Sequence, residues 1–112
     1  MFIKTRSIVA KAQHFAEALD VAHRIGDHLN SIGIETEVST TLFGRPREIH
    51  FATRFPTMEA LLGEIQKLQN DETYTALFRE AADLIVDGAS TTQVTIVRDP
   101  NKAFNEELLT LL

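Results

Sequence analysis

The feature that most limits the possible folds is the central stretch 34–55, where apolar and polar residues alternate on both sides of a Gly/Pro turn. Side chains of a strand point alternately to its two faces, so this alternation predicts two strands, each with one apolar face. Gly44 and Pro46 are typical turn residues and predict a hairpin that turns at residues 45–48. A hairpin alone is marginally stable in water, so its apolar face must pack against other strands or helices.

The flanking segments supply those partners. The spacing of apolar residues divides the chain into helices and strands. Thr57 and Asp71 are predicted N-cap residues, and Gly33 and Gly88 are predicted helix ends. In chain order they are a strand over 2–10, a helix over 11–31, the hairpin, a helix from 57 that breaks at 70–71 and continues toward Gly88, and a strand over 91–97. The predicted buried stripes of the two later helices are Met58, Leu61, Leu62, Ile65 and Leu68, then Tyr74, Leu77, Phe78, Ala81, Leu84 and Ile85.

This β-α-β-β-α-β order predicts an α+β fold of the ferredoxin-like type, a single domain over residues 1–112. Right-handed crossovers place both helices on one face of a four-stranded antiparallel sheet. A short C-terminal helix is expected in the tail, residues 98–112, because Asp99-Pro100 is a helix-start pattern and an apolar edge follows it. That edge consists of Phe104, Leu108 and Leu111.

Composition excludes several classes of protein. A net charge of −5 argues against sequence-independent nucleic-acid binding, which needs a basic face. No apolar run approaches the roughly 18 residues of a membrane span. The chain contains no cysteine, and with no signal-peptide layout this favours a cytoplasmic location.

The sheet face opposite the helices, here called the open face, is predicted to be charged. Two interpretations of it are compatible with the sequence. It is either a solvated sheet surface, as antiparallel sheets allow, or the contact between two copies related by a two-fold axis. The residues predicted there are Lys4, Arg6, Glu37, Ser39, Thr41, Glu48, His50, Arg54, Gln93 and Thr95.

Two segments carry a resemblance to a known family. Residues 70–77, Asn-Asp-Glu-Thr-Tyr-Thr-Ala-Leu, contain a D-x-x-Y-x-x-L pattern, and the hairpin leads into Phe-Pro-Thr-Met-Glu-Ala-Leu at 55–61. Over residues 1–97 this layout resembles the dimeric α/β-barrel superfamily, in particular its small NIPSNAP-like members. The resemblance implies a homodimer whose sheets pack face to face.

The same resemblance implies a range of functions. Members of the superfamily include cofactor-independent monooxygenases, haem-degrading enzymes and muconolactone isomerase-type enzymes. The haem-degrading branch uses a Trp, and this chain has none. The resemblance therefore favours a small-molecule-binding protein that acts, without cofactor or metal, as an oxygenase or isomerase on a small aromatic or polyketide-like compound. The alternative is a non-enzymatic homodimeric module.

The candidate catalytic residues are His50, Glu37 and Arg54, which the hairpin is expected to bring together on the open face. Such neighbours can tune an imidazole into a general acid or base, whereas the structural alternative is an interface hydrogen-bond network. Arg6, together with Arg54, is a candidate for orienting a substrate carboxylate or enolate, or else an internal salt-bridge partner of Glu37 or Glu48.

Tyr74 and His14 are the remaining candidates for substrate binding. Tyr74 lies on the buried stripe of its helix, so it is either a core residue or a hydrogen-bond donor at the edge of a pocket. His14 lies close to the start of the first helix, where it borders a cavity between helix and sheet if one exists. The spacing of the histidines predicts no metal site.

Overall fold

The computed structural model describes residues 1–98. The predicted tail helix with Phe104, Leu108 and Leu111 lies outside the described residues. The elements are β1 (Phe2–Val9), α1 (Phe15–Ser31), β2 (Thr36–Thr40), β3 (Glu48–Phe55), α2 (Met58–Gln69), α3 (Glu72–Ala82) and β4 (Thr91–Ile96). The four strands form one antiparallel sheet in the order β2-β3-β1-β4. The predicted ferredoxin-like α+β fold is thus confirmed.

The break between α2 and α3 is where the sequence predicts it. The Thr57 hydroxyl accepts a hydrogen bond from the amide of Ala60 at 3.1 Å, and the Asp71 carboxylate accepts one from the amide of Tyr74 at 2.9 Å. These N-cap bonds satisfy amides that lack a partner within the helix, so each fixes a helix start.

The end of α3 differs from the prediction. The helix ends at Ala82, and the residues before Gly88 run along the sheet instead. The Leu84 carbonyl accepts from the Lys11 amide at 2.9 Å, and Val86 donates to the Val9 carbonyl at 2.8 Å. Backbone pairing with the end of β1 replaces the last helical turn.

The core lies between α1 and the sheet. Six residues of α1 are buried, at the spacing of one helix face: Ala18, Val21, Ala22, Ile25, Gly26 and Leu29. They pack against buried residues of the strands, among them Ile49, Phe51 and Phe55 of β3. Alternate residues of β3 are buried along its whole length, as the hairpin pattern predicts.

The prediction that Lys4 and Arg6 of β1 lie on the open face was wrong. Arg6 pairs with Phe51 and Lys4 pairs with Thr53 across β1 and β3. Paired residues share a face, so both basic side chains lie on the helix side of the sheet. The alternation in β1 is weak, because apolar residues occur on both of its faces. Only the pairing with β3 decides which face meets the helices.

The predicted stripe of α2 was also partly wrong. Leu62 and Ile65 are each 57% exposed, whereas Glu64 is the buried residue of this helix, at 4%. Leu61 and Leu68 pack beside Glu64 on the same face. The reason is an ion pair that draws Glu64 under the helix toward Lys4. Among the described residues, no helix has both the length and the hydropathy to cross a bilayer.

Candidate functional site

A small cavity lies between the helices and the helix side of the sheet. Its volume is about 40 Å³, which is room for a few water molecules. Strands β1 and β3 form its floor, and α1, α2 and α3 form its walls. The residues that line it are Lys4, Arg6, Ile25, Leu29, Phe51, Thr53, Glu64, Leu68, Tyr74 and Phe78.

An ion pair between Lys4 and Glu64 closes one side of this cavity. The Lys4 ammonium donates to the Glu64 carboxylate and so joins β1 to α2. The side chain of Glu64 is 4% exposed and that of Lys4 is 26% exposed. A carboxylate so far from water needs a counterion, since an unpaired buried charge costs several kcal/mol (on the order of 3–5). Lys4 and Glu64 therefore neutralise each other within the cavity wall.

Arg6 is the second cation of the cavity. Its guanidinium carbon lies 4.4 Å from the centre of the Phe78 ring, a cation–π contact. Within residues 1–98, no carboxylate lies at ion-pairing distance from Arg6. The Tyr74 ring packs on Phe78 with ring centres 5.0 Å apart. Among the residues that the structure describes, Arg6 is therefore the cation of this cavity that has no carboxylate partner.

The hydroxyl of Tyr74 faces the same cavity. Burial raises the pKa of Tyr74, the negative charge of Glu64 raises it further, and the positive charge of Arg6 opposes both. The hydroxyl therefore stays protonated at neutral pH, the form that can donate a hydrogen bond. A guanidinium and a neutral hydroxyl together can bind a carboxylate, or stabilise an oxyanion that forms during a reaction.

His50 lies on the other side of the sheet, in a polar cluster on the open face. Its Nδ1 lies 2.7 Å from the Ser7 hydroxyl, and its Nε2 lies 2.7 Å from the Thr41 hydroxyl and 3.1 Å from the Glu48 carboxylate. The side chains of His50 and Glu48 are 22% and 21% exposed. Glu37 and Arg54, the partners of His50 expected from the sequence, do not contact it; its partners are Ser7, Thr41 and Glu48, which were not predicted in that role. Glu48, two residues before His50 on one strand, could have been found from the alternation alone.

Arg54 and Glu37 form a separate ion pair on the open face. The Arg54 guanidinium lies 3.4 Å from the Glu37 carboxylate and 3.8 Å from that of Glu35. All three side chains are exposed. The structure thus joins two of the three candidate catalytic residues to each other but leaves His50 in its own network.

The candidate residues for substrate binding are divided in the same way. Arg6 and Tyr74 meet in the cavity, on the opposite side of the sheet from His50, Glu37 and Arg54. His14 is not among the residues that line the cavity. It is exposed before the start of α1, and its Nδ1 lies 3.5 Å from the carboxylate of Glu17. Within the described chain, no group of three or more His, Asp or Glu side chains is placed to hold a metal ion.

A histidine–aspartate pair anchors the break between α2 and α3. The His28 Nε2 lies 2.7 Å from the Asp71 carboxylate, with both side chains largely buried. The hydrogen bond from the Tyr74 amide lowers the pKa of Asp71, and the bond to His28 lowers it further. Since Asp71 begins the helix that carries Tyr74, this pair positions one wall of the cavity.

Comparisons with known proteins support the fold. No protein-family model matches this chain, and no curated protein matches it. Among solved structures, an uncharacterised NIPSNAP domain protein from Burkholderia xenovorans superposes with a TM-score of 0.76 at 12% identity, covering 92% of this chain and 100% of that one. A NIPSNAP family protein from Agrobacterium tumefaciens gives 0.73 at 15% identity, covering 90% of this chain and 98% of that one.

A third similar structure is described as an enzyme. A protein described as an antibiotic biosynthesis monooxygenase superposes with a TM-score of 0.69 at 13% identity, covering 88% of this chain and all of that one. At such low identities these likenesses establish a common fold. The fold implied by the sequence resemblance is therefore confirmed: the chain has the ferredoxin-like α/β architecture of the NIPSNAP and antibiotic biosynthesis monooxygenase structures.

Proposed function

We propose that this protein binds a small anionic aromatic compound in the cavity between the sheet and the helices. The observation that carries the proposal is the position of Arg6, which has no carboxylate partner within residues 1–98, close to the protonated Tyr74. Phe51 and Phe78 provide aromatic walls on either side. A ligand with one carboxylate, phenolate or enolate would neutralise the positive charge of Arg6, and its aromatic ring would stack on the rings that line the cavity.

Ligand entry requires an enlarged cavity, and α2 is the element that can provide it. The present volume of about 40 Å³ is smaller than a benzene-sized ligand needs, since an engineered cavity that binds benzene measures about 150 Å³. Of the twelve residues of α2, Glu64 is the one that is buried. An outward movement of α2 would separate Glu64 from Lys4 and open the cavity over β3.

The candidate reaction is oxygenation or isomerisation of a phenol or enol without a cofactor. Both reactions pass through an anion of the substrate, which Arg6 would stabilise by charge and Tyr74 by a hydrogen bond. The fold shared with an antibiotic biosynthesis monooxygenase supports oxygenation as the first reaction to test. Substrate oxidation under air, measured as oxygen consumption, tests it directly for each compound that binds.

Binding is tested by thermal shift with a panel of aromatic carboxylates and phenols. A ligand that binds the folded state raises the melting temperature. The Arg6→Met variant should lose this increase, and Tyr74→Phe should reduce it. Arg45→Met is the matched control, since Arg45 is exposed on the hairpin loop and should leave the increase unchanged. If Arg6→Met and the wild type respond alike to every ligand, the proposed site is wrong.

A second proposal concerns the open face, which we infer to be the contact between two copies of the chain. The polar groups of this face are already satisfied within one chain, Arg54 by Glu35 and Glu37, and His50 by its own network. Such a face suits the alternative function, a non-enzymatic homodimeric module. Ala52→Arg, at the middle of this face, should give monomers in sedimentation experiments, whereas Ala60→Arg on exposed α2 should not.

The His50→Ala variant distinguishes a role of His50 in turnover from a role in the dimer contact. If the open face also takes part in turnover with Glu37 and Arg54, His50→Ala will abolish oxygen consumption and leave the dimer intact. If His50→Ala disrupts the dimer while the ligand-induced thermal shift persists, its role is in the interface.

A further inference from the structure

We propose that Ser7, His50 and Glu48 form a nucleophile–base–carboxylate relay on the open face, able to take an acyl group from an activated ester. This inference uses different residues from the cavity proposal and does not depend on it. It requires Ser7 and His50 to be accessible to an ester, so it competes with a dimer contact that covers this part of the open face. The Ser7 hydroxyl lies 2.7 Å from His50 Nδ1, and Glu48 Oε1 lies 3.1 Å from His50 Nε2. Nucleophilic serines are recognised by these two contacts, whatever the order of the residues in the chain.

The hydrogen bonds define which ring nitrogen carries the proton. With the proton on Nε2, His50 donates toward Glu48 and Thr41, and its Nδ1 accepts the proton of Ser7. The Thr41 hydroxyl donates to Glu48 at 3.0 Å, which holds the carboxylate in place. His50 is therefore oriented as a general base toward Ser7.

The strand pairing keeps this arrangement rigid. Ser7 and His50 are direct partners on β1 and β3, and Glu48 precedes His50 by two residues on the same face. Groups on paired strands are held more precisely than groups on loops. Two further hydroxyls flank the pair by register, Ser39 opposite His50 and Thr91 opposite Ser7. Side-chain hydroxyls can serve as donors to an oxyanion.

The acyl transfer is balanced without any cofactor. The Ser7 Oγ attacks the carbonyl carbon of the ester while its proton moves to His50 Nδ1, and the carbonyl electron pair moves to oxygen. Collapse of the tetrahedral oxyanion breaks the ester bond and releases the alcohol or phenolate, which takes the proton from His50. Water then attacks the acyl-serine while His50 accepts one of its protons. The acyl-serine bond breaks, His50 returns that proton to Ser7, and the carboxylic acid leaves and loses its remaining proton to the solvent.

The test uses p-nitrophenyl acetate, a small ester whose phenolate is coloured. The wild-type protein should release a burst of up to one p-nitrophenolate per chain, and peptide mass mapping should find the acetyl group on Ser7. Ser7→Ala should remove the burst, and His50→Gln should slow it at least about a hundredfold, the usual contribution of a general base. Ser90→Ala, which changes an exposed serine before β4, is the matched control and should retain it.

Glu48 is a positioning residue in this relay, and its test is rescue by a conservative substitution. Glu48→Ala removes the oxygen that lies 3.1 Å from His50 Nε2 and should slow the burst, whereas Glu48→Gln keeps an acceptor oxygen there and should recover part of the rate. Urea unfolding of the same variants separates this role from a merely structural one, in which the burst would fall only as far as the fraction of folded protein does.

The proposal is overturned if the burst is no larger than that of Ser7→Ala. Acetylation confined to lysines and the amino terminus would overturn it as well.

Discussion

Arg6 and Phe51 are direct partners across β1 and β3, and this pairing turns the Arg6 guanidinium toward the helices, where it lies over the Phe78 ring. Lys4, two residues earlier, points the same way and meets Glu64. The helix side of this sheet thus contains two cations and one carboxylate among apolar residues.

Breaking the Lys4–Glu64 pair should destabilise the protein more when the lysine is removed than when both residues are replaced. Lys4→Met leaves the buried Glu64 carboxylate unpaired and should reduce the free energy of unfolding by about 3 kcal/mol. The Lys4→Met/Glu64→Leu double variant should recover most of that loss, because neither charge remains. Urea unfolding of the two variants measures the difference. Equal stabilities would contradict the buried ion pair.

Packing between α1 and β2 should make Gly26 intolerant of a methyl group. A Cβ placed there would lie 2.8 Å from Cγ2 of Val38, a β-branched side chain with little freedom to move. Gly26→Ala should therefore cost about 1–3 kcal/mol of the free energy of unfolding. The matched control is Gly63→Ala in α2, where a Cβ would meet nothing within 4 Å.

The two glycine variants should move stability in opposite directions. Gly63→Ala should raise the free energy of unfolding by roughly 0.5–1 kcal/mol, since alanine is the better helix residue. In the Gly26→Ala background, Val38→Ala should recover part of the lost stability by making room. A stabilised Gly26→Ala protein would show that α1 and β2 are packed less closely than this 2.8 Å approach requires.

The single tyrosine of the chain makes the cavity visible in an absorbance titration. Burial raises the pKa of Tyr74, so tyrosinate should form at a higher pH than in free tyrosine, where the pKa is about 10. Arg6→Met should raise this pH further, because the positive charge of Arg6 favours tyrosinate, and Glu64→Gln should lower it. An Arg6→Met protein that titrates like the wild type would place Arg6 away from Tyr74.

The same shift has a consequence for stability at alkaline pH. The folded protein favours the protonated form of Tyr74 more strongly than the unfolded chain does. The resulting stability is present below about pH 10 and is lost as the pH rises through the raised pKa of the folded state. Tyr74→Phe should therefore lessen the fall of the urea midpoint at alkaline pH.

Asp71 should contribute stability that disappears on acidification. The Tyr74 amide and His28 lower the pKa of Asp71 in the folded protein. This contribution is complete above the unfolded value of about 3.9 and is lost as the pH falls toward the lowered pKa. Asp71→Asn retains a good N-cap residue but cannot titrate, so its urea midpoint should fall less than that of the wild type between about pH 6 and pH 3. Asp27→Asn, an exposed change of the same kind on α1, should behave like the wild type.

Much of the fold was predictable because its signals are local. The alternation in β3, the N-caps Thr57 and Asp71 and the stripe of α1 each depend on residues close in sequence, and each is confirmed. The predicted burial of Leu62 and Ile65 on α2 was wrong, because Lys4, sixty residues away in sequence, draws Glu64 inward instead. Hydrophobic periodicity contains no information about such a pair.

The residues of the candidate site were predictable from the sequence, but the face of the sheet on which each of them lies was not. Sequence identified His50, Arg6 and Tyr74 as unusual polar residues, and periodicity placed His50 on the open face. It placed Arg6 there too, although the strand pairing of β1 puts Arg6 with Tyr74 in the cavity and leaves Ser7 beside His50. A shift of one residue in strand register exchanges the two faces completely. The sequence by itself determined the helices and strands and their order, because these follow from local propensity and from the period of apolar residues. Only the tertiary structure decided which polar groups meet, because β1 is nearly equally apolar on both faces and its pairing with β3 selects between them.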